Sequence, residues 1–220
     1  MQNYPKSKFI ENVFSMDEIN EIIDHFKCQP VAHHYVPQNT LNKNLDYDIP
    51  GSVVNRIVKP KLSEILNDSD HRFFGGAYKE YTIPYSLHID NVIPTASMTF
   101  ADQPCHKTAF LIPLIEDVGL KTAMFDVFLP VNHNFRVNGD VEKQVEELKL
   151  FLTKQPTIID SSEFDHIQEP FWTLIPYIPV DRIQQWKLGS IITWHFDQLH
   201  CSTNFQKLNI TKKFMVIMIN

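Results

Sequence analysis

The sequence has few of the residues that define disulfide-bonded, zinc-clustered, nucleic-acid-binding or membrane-spanning proteins. Cysteine occurs 3 times in 220 residues, at Cys28, Cys105 and Cys201. The absence of a close pair excludes a disulfide scaffold and a Cys-rich zinc module, and fits a reducing compartment. The 20 Lys and Arg face 26 Asp and Glu, and they form no basic stripe, so no nucleic-acid partner is expected. Met1 to Asn20 lacks the apolar core of a signal peptide and no apolar run is long enough to span a bilayer, so we expect a cytoplasmic protein without a membrane partner.

The residues that are abundant are apolar, aromatic and imidazole-bearing. Hydrophobic residues make up 43% of the chain and include 16 Phe, which is enough to build a sizeable core. The length suggests one domain. The 10 His are unusual in an acidic chain with so few Cys, and they direct the search for a chemical site.

Helical patterns occupy the beginning of the chain. Ser15 followed by Glu18 is a capping box, and the apolar spacing behind it predicts a helix from about Met16 to Lys27. A second apolar pattern over residues 54–66 predicts a helix that Pro60 kinks or restarts. The polar segment between them, His33 to Pro50, is interpreted as a loop.

Short β-branched and aromatic segments follow, and these predict strands. They are Arg72–Tyr81, Ala96–Phe100, Thr108–Leu114, Thr122–Leu129, Phe171–Ile178, Ser190–Trp194 and Lys213–Ile219. One amphipathic helix, capped by Asp140, interrupts them at about 138–155. This order predicts a single, mainly β domain over residues 1–220 with a jelly-roll (double-stranded β-helix, cupin-like) core. Residues 1–70 would be its helical support and residues 71–220 its β core.

The motif His-x-Asp occurs twice, at His88–Asp90 and at His195–Asp197. Because the chain has 10 His and 15 Asp, chance alone predicts about 0.7 such pairs. In the first pair, a strand and a Pro turn precede an extended segment, which places His88 and Asp90 on one face. The alternative for that pair is a surface histidine followed by an Asx turn.

A second informative stretch ends at His200, which follows a Gly turn at Gly189 and an apolar strand. His200 lies 112 residues beyond His88, so the two could meet only across the sandwich. Two histidines and one carboxylate form the facial triad of non-haem Fe(II) oxygenases, which leaves part of the metal open. Lys212 and Lys213 begin the last apolar strand, where a buried cation is costly unless it meets an anion. Both lysines could instead be solvated.

Three stretches together resemble the Fe(II)- and 2-oxoglutarate-dependent dioxygenase superfamily, on its prolyl-hydroxylase-like and phytanoyl-CoA-hydroxylase-like side. Phe9–Glu18 resembles the beginning of the family's first helix, and Tyr81–Asn91 resembles the strand with its first two ligands. Gly189–His200 resembles the strand with its distal histidine, including the spacing of 11 residues. The resemblance implies a jelly-roll enzyme that binds Fe(II), 2-oxoglutarate and O2, with ascorbate as a possible support.

Residue by residue, the resemblance implies that His88, Asp90 and His200 are the iron ligands. The family has an Arg or Lys about a dozen residues past the distal histidine, which binds the far carboxylate of 2-oxoglutarate. We assign that role to Lys213, with Lys212 as the second choice, and only one of them can point inward because strand side chains alternate. Lys replaces the commoner Arg, and the hydroxyl residue often found two positions beyond it is absent. Tyr78 and Tyr81 are the nearest candidates for that hydroxyl contact.

The implied reaction is hydroxylation of a small-molecule or peptidyl substrate with release of succinate and CO2. The presence of Asp90 favours hydroxylation over halogenation, since halogenases of the family lack this carboxylate. Two alternatives remain. One is a jelly-roll binding module without catalysis, and the other is a cupin-like metalloprotein that uses His195 and His200. The sequence does not indicate the oligomeric state.

Overall fold

The computed structural model describes residues 4–35, 44–47, 51–68, 73–90, 108–129, 140–158 and 160–219. Its strands are β1 (Lys8–Ile10), β2 (Val31–Tyr35), β3 (Asn44–Tyr47), β4 (Phe73–Tyr81), β5 (Thr108–Pro113), β6 (Lys121–Phe128), β7 (Val180–Gln185), β8 (Ile191–His195), β9 (Gln198–Ser202) and β10 (Lys212–Ile219). They form a seven-stranded sheet in the order β1-β8-β5-β10-β4-β3-β2 and a three-stranded sheet in the order β7-β6-β9. All strand pairings among the described residues are antiparallel. This is the mainly β, jelly-roll architecture that the sequence predicted.

The predicted helices are present in the structure. Helix α1 (Met16–Lys27) begins at the capping box: the Ser15 hydroxyl accepts from the Glu18 amide, and the Glu18 carboxylate accepts from the Ser15 amide. The second pattern forms α2 (Gly51–Val53), a π-helical turn (Val54–Val58) and α3 (Lys59–Leu66). The irregular turn lies just before Pro60, whose missing amide hydrogen cannot bond the preceding turn. Helix α4 (Val141–Lys149) begins at Asp140, as predicted. No helix in the described ranges is long and apolar enough to cross a membrane.

Two local predictions are wrong. The segment predicted as a strand over Phe171–Ile178 is helix α5 (Phe171–Leu174) followed by a 3₁₀ turn (Ile175–Tyr177). Its apolar residues lie at positions 171, 174, 175 and 178, which is helical spacing, and they pack on the outer face of the small sheet. The predicted loop His33–Pro50 includes most of β2 and all of β3, because polar residues are tolerated where strands extend the edge of a sheet. The predicted strand Ala96–Phe100 lies outside the described residues.

Three apolar layers hold these elements together. The first packs α1, α2 and α3 against one face of the large sheet, and the second lies between the two sheets. The third covers the outer face of the small sheet with α4 and α5. On β10, Met215 and Ile217 point to the helical layer whereas Phe214 and Val216 point between the sheets. Both faces of this strand are therefore buried, and the space between the sheets is where a site can be built.

Gly189 connects the N-terminal segment to the beginning of β8. It has a φ of +75°, and a Cβ there would lie 2.7 Å from the carbonyl oxygen of Phe14. Its own carbonyl accepts the amides of Val13 and Phe14, which fixes the approach of α1. Only glycine combines this backbone conformation with this close contact.

We therefore expect Gly189→Ala to lower the free energy of unfolding by about 1–3 kcal/mol, because the new methyl group adds strain and a clash. Urea unfolding followed by circular dichroism measures the change. Gly51→Ala is the matched control, because a Cβ at Gly51 meets no atom within 4 Å. Equal stability of the Gly189→Ala protein and the wild type would contradict the expectation.

Candidate metal centre

A single antiparallel bridge places His88 opposite His200. The His88 amide donates to the His200 carbonyl at 3.0 Å, and the His200 amide donates to the His88 carbonyl at 2.9 Å. Two residues further on, the Asp90 amide donates to the carbonyl of Phe196 at 3.0 Å. The segment that carries His88 and Asp90 therefore runs along β9, and backbone hydrogen bonds fix its register against the strand that carries His200.

Both imidazole rings are oriented by backbone carbonyls. His88 Nδ1 lies 2.7 Å from the Ser86 carbonyl oxygen, and His200 Nδ1 lies 2.9 Å from that of Gln198. A carbonyl can only accept, so Nδ1 carries the hydrogen on each ring and Nε2 keeps its lone pair. The two rings lie close together, with centroids 4.1 Å apart. The two Nε2 atoms are therefore available as ligands.

Asp90 completes a set of three possible ligands. Its Oδ1 lies 3.8 Å from His88 Nε2, and its Oδ2 lies 3.6 Å from His200 Nε2. Two ligand atoms at about 2.1 Å from one metal lie up to about 4.2 Å apart, so both distances suit a shared ion. In the described residues these three form the one group of His, Cys, Asp or Glu whose ligand atoms all lie within 4.8 Å of one another.

The surroundings of His88 keep its ring neutral. Burial is the largest cause, and the neighbouring His200 ring adds to it, so that the pKa of His88 falls to about 3. A neutral imidazole is the form that binds a metal. The arrangement thus presents two Nε2 donors and one carboxylate at a partly exposed position.

Lys212 is buried between the sheets beside this group. Its Nζ donates to the Ser202 hydroxyl at 2.8 Å and lies over the Trp186 ring, 4.3 Å from its centroid. The part of the chain that the structure describes offers no carboxylate within 4 Å of it. Ser202 follows His200 by two residues on β9, so the two side chains lie on the same face, about 7 Å apart along the strand. A buried cation of this kind is suited to a ligand anion that reaches it from the metal position.

Lys213, the first choice from the sequence, points to the opposite face. Its ammonium lies 3.7 Å from a Glu80 carboxylate oxygen, and its side chain is 45% exposed. The structure thus places Lys212, and not Lys213, on the face between the sheets, so the role predicted for Lys213 passes to Lys212 as a proposal. The sequence could not decide between them, because residues on both faces of β10 are apolar and give no sign of which face is inward.

The two tyrosines predicted as hydroxyl donors also lie on opposite faces of β4. Tyr78 packs in the helical layer, stacked on Phe26, and is therefore not a candidate for the site. Tyr81 lies between the sheets opposite Lys212 in the β4–β10 register, and its hydroxyl accepts from Lys79 Nζ at 3.0 Å. Tyr81 remains a candidate for contact with a bound anion.

The buried ammonium of Lys212 should make stability depend on pH. Burial lowers the pKa of Lys212 from 10.5 to about 7, and the charge of Lys79 adds to the effect. Between pH 7 and pH 10.5, Lys212 is protonated in the unfolded chain and largely neutral in the folded protein. The unfolded chain therefore binds more protons, and the free energy of unfolding rises with pH. The slope due to this group is expected to approach, and not exceed, about 1.4 kcal/mol per pH unit.

Urea unfolding of the wild type and of Lys212→Met from pH 6 to pH 10 measures that slope. Lys212→Met is expected to have the larger free energy of unfolding at pH 6. The difference in this free energy between the variant and the wild type should shrink as the pH rises towards 10. A difference that stays constant over this range would contradict a lowered pKa for Lys212.

His195 and Asp197 do not join the group. Trp194 points between the sheets, and strand alternation turns its neighbour His195 to the other face, where it contacts the Tyr4 ring. Asp197 lies 3.7 Å from His195 Nδ1. This pair thus forms its own contact at the turn between β8 and β9.

Two residues that the sequence reading did not single out contact the site. Trp194 Nε1 donates to Asp90 Oδ2 at 2.7 Å, and Ser202 accepts from Lys212. A bond from Trp194 could have been expected from the sequence, because the N–H of a tryptophan in a buried strand usually needs an acceptor. A signal for Ser202 is its spacing of two residues from His200 on a strand.

No protein-family model matches the chain, and no curated protein matches it by sequence. Solved structures do match by fold. The α-ketoglutarate-dependent epimerase SnoN from nogalamycin biosynthesis superposes with a TM-score of 0.59 at 9% identity, covering 98% of this chain and 77% of SnoN. HygX from Streptomyces hygroscopicus, with nickel, 2-oxoglutarate and hygromycin B bound, superposes with a TM-score of 0.56 at 14% identity. The match covers 98% of this chain and 82% of HygX. AviO1 from Streptomyces viridochromogenes superposes with a TM-score of 0.52 at 11% identity, and the match covers 98% of this chain and 90% of AviO1.

Proposed function

We propose that this chain is an Fe(II)- and 2-oxoglutarate-dependent oxygenase that hydroxylates a small-molecule or peptidyl substrate. One observation carries the proposal: His88, Asp90 and His200 converge between the sheets, where Lys212 is also buried. Among the residues that the structure describes, no carboxylate pairs with this lysine. The fold is similar to that of the α-ketoglutarate-dependent epimerase SnoN and to that of HygX, whose structure holds nickel, 2-oxoglutarate and hygromycin B.

The donor set fits Fe(II). Two imidazoles and one carboxylate with open positions are the ligands of non-haem Fe(II) oxygenases, whereas a structural zinc site is closed by four protein ligands. His88 and His200 would bind through Nε2, and Asp90 through a carboxylate oxygen. When bound, the metal supplies the oxygen chemistry that couples decarboxylation of 2-oxoglutarate to oxidation of the substrate.

Lys212 would bind the carboxylate of 2-oxoglutarate that is remote from the metal. An ammonium among aromatic rings is held in place by cation–π contacts and by one hydrogen bond to Ser202. The ammonium has three donors, so two remain for an incoming carboxylate. A charge-assisted pair in a buried position is strong, and it also offsets the cost of burying the cation alone.

Asp90 supports hydroxylation over halogenation, because a carboxylate fills the ligand position that a halide would otherwise take. Epimerisation is a second outcome available to this fold, since SnoN is an epimerase. The protein's own share in either reaction is to hold the ligands, exclude water and place one C–H bond near the open position.

The test is a turnover assay with purified protein, Fe(II), ascorbate and 2-oxoglutarate. We expect slow conversion of 2-oxoglutarate to succinate without substrate, and none when a chelator removes the metal. Calorimetry with Zn(II)-loaded protein is expected to show 2-oxoglutarate binding. Metal binding without any 2-oxoglutarate binding would instead favour a binding module that kept the fold without the reaction.

A further inference from the structure

The Trp194 indole holds one oxygen of Asp90. Its Nε1 donates to Asp90 Oδ2 at 2.7 Å, while Oδ1 is the oxygen on the His88 side, 3.8 Å from His88 Nε2. The same indole packs on the His200 ring, with centroids 4.8 Å apart. Trp194 therefore contacts two of the three residues that form the candidate metal centre, without being able to bind a metal itself.

We infer that Trp194 is a positioning residue that makes Asp90 a one-oxygen ligand. A carboxylate can bind a metal through one oxygen or through both, and binding through both would use a position that cosubstrate or oxygen needs. An indole has one donor and no acceptor, so its N–H can only point at a carboxylate oxygen here. Oδ2 also lies 3.6 Å from His200 Nε2, but one of its lone pairs accepts the indole hydrogen, so we assign the ion to Oδ1, which accepts no such bond from Trp194. The inference rests on the proposed metal centre.

The position of Trp194 makes the bond rigid. Trp194 is 4% exposed, lies on β8 in the layer between the sheets, and is paired with Ala109 of β5 in the strand register. A buried indole N–H that loses its acceptor carries a desolvation cost, so the bond to Asp90 is retained when the metal binds. Outer-shell partners of metal ligands typically contribute about 10- to 100-fold to metal affinity.

The test compares Co(II) binding by wild type, Trp194→Phe and Trp172→Phe in the absence of 2-oxoglutarate. Trp194→Phe keeps an aromatic ring against His200 but removes the donor to Asp90. Trp172→Phe is the control, since it makes the same change from indole to phenyl at an exposed residue of α5, the helix that covers the outer face of the small sheet. Co(II) replaces Fe(II) because it is stable in air and its visible absorption bands report coordination.

We expect the Co(II) affinity of Trp194→Phe to fall by about 10- to 100-fold, with shifted absorption bands at saturation. The affinity of Trp172→Phe should stay within about threefold of the wild type. Equal affinity and identical bands in all three proteins would overturn the role of Trp194 while leaving the metal centre intact. Failure of the wild type itself to bind Co(II) would overturn the metal centre and the inference together.

A measurement on the wild type covers the case in which Trp194→Phe does not fold. The chain has three Trp, so a ¹⁵N-labelled sample gives three indole signals, and the exposed Trp172 provides the reference. We expect the Trp194 indole hydrogen to exchange slowly with solvent both without metal and with Zn(II) bound. Exchange as fast as that of Trp172 after Zn(II) is added would show that the bond is released, and would overturn the inference.

Discussion

Replacing His88 by Ala is expected to abolish metal binding and, with it, the conversion of 2-oxoglutarate to succinate. The substitution removes one of two nitrogen donors, but it keeps the backbone bridge to His200, which uses main-chain atoms alone. The protein should therefore fold. Its metal affinity should drop by more than about 100-fold, because loss of a residue that only contacts a metal ligand already costs about 10- to 100-fold. Calorimetric metal titration and succinate detection measure the two effects, and Asp90→Ala should give the same result.

His195→Ala is the matched control for His88→Ala. It removes an imidazole that is also followed by an aspartate two positions later, but its ring contacts Tyr4 rather than the candidate ligands. We expect its metal affinity and succinate formation to match those of the wild type. Metal retention in His88→Ala together with metal loss in His195→Ala would contradict the assignment and support the cupin-like alternative. Robust turnover by both His88→Ala and Asp90→Ala would contradict it as well.

Lys212→Met is expected to weaken 2-oxoglutarate binding by about 10- to 100-fold, since a charge-assisted hydrogen bond contributes about 1.5–3 kcal/mol. Methionine keeps the length and most of the volume of the side chain but removes the charge. The same substitution should raise the free energy of unfolding below pH 7, because no carboxylate offsets the burial of this ammonium in the described part of the chain. Metal affinity in the absence of 2-oxoglutarate should not change.

The neighbouring Lys213 provides the control. Lys213→Met removes the same charge one residue away, but from the face where the ammonium lies near Glu80 and solvent. We expect 2-oxoglutarate affinity to stay within about twofold of the wild type, because an exposed ion pair contributes little. A large loss in Lys213→Met with none in Lys212→Met would restore the original assignment from the sequence. No loss in either variant would remove both lysines from the cosubstrate site.

Local patterns predicted those parts of the fold that local interactions determine. The capping box of α1, the cap of α4 and the short apolar runs of β5, β6 and β10 each act within a few residues, and each is present in the structure. The error at Phe171–Ile178 arose because a short apolar run is compatible with a strand and with a helix. The strands β2 and β3 were missed because their pairing with β4 comes from the sheet and not from their own polar sequence.

The candidate ligands could be named from the sequence because each lies in a recognisable stretch of chain. Their convergence could not be derived from spacing, since 112 residues separate His88 from His200. Which nitrogen of each ring is free was also beyond the sequence, because it depends on the carbonyls of Ser86 and Gln198.

By itself, the sequence determined which ligand chemistry is available. Scarce cysteine leaves imidazole and carboxylate as the side chains that could bind a metal. The tertiary structure alone decided which of two adjacent lysines is buried beside the ligands and which tryptophan bonds to Asp90. The reason is physical: side chains alternate along a strand, so a register shift of one residue exchanges the inner and outer sets. That register is fixed by hydrogen bonds between strands far apart in the chain.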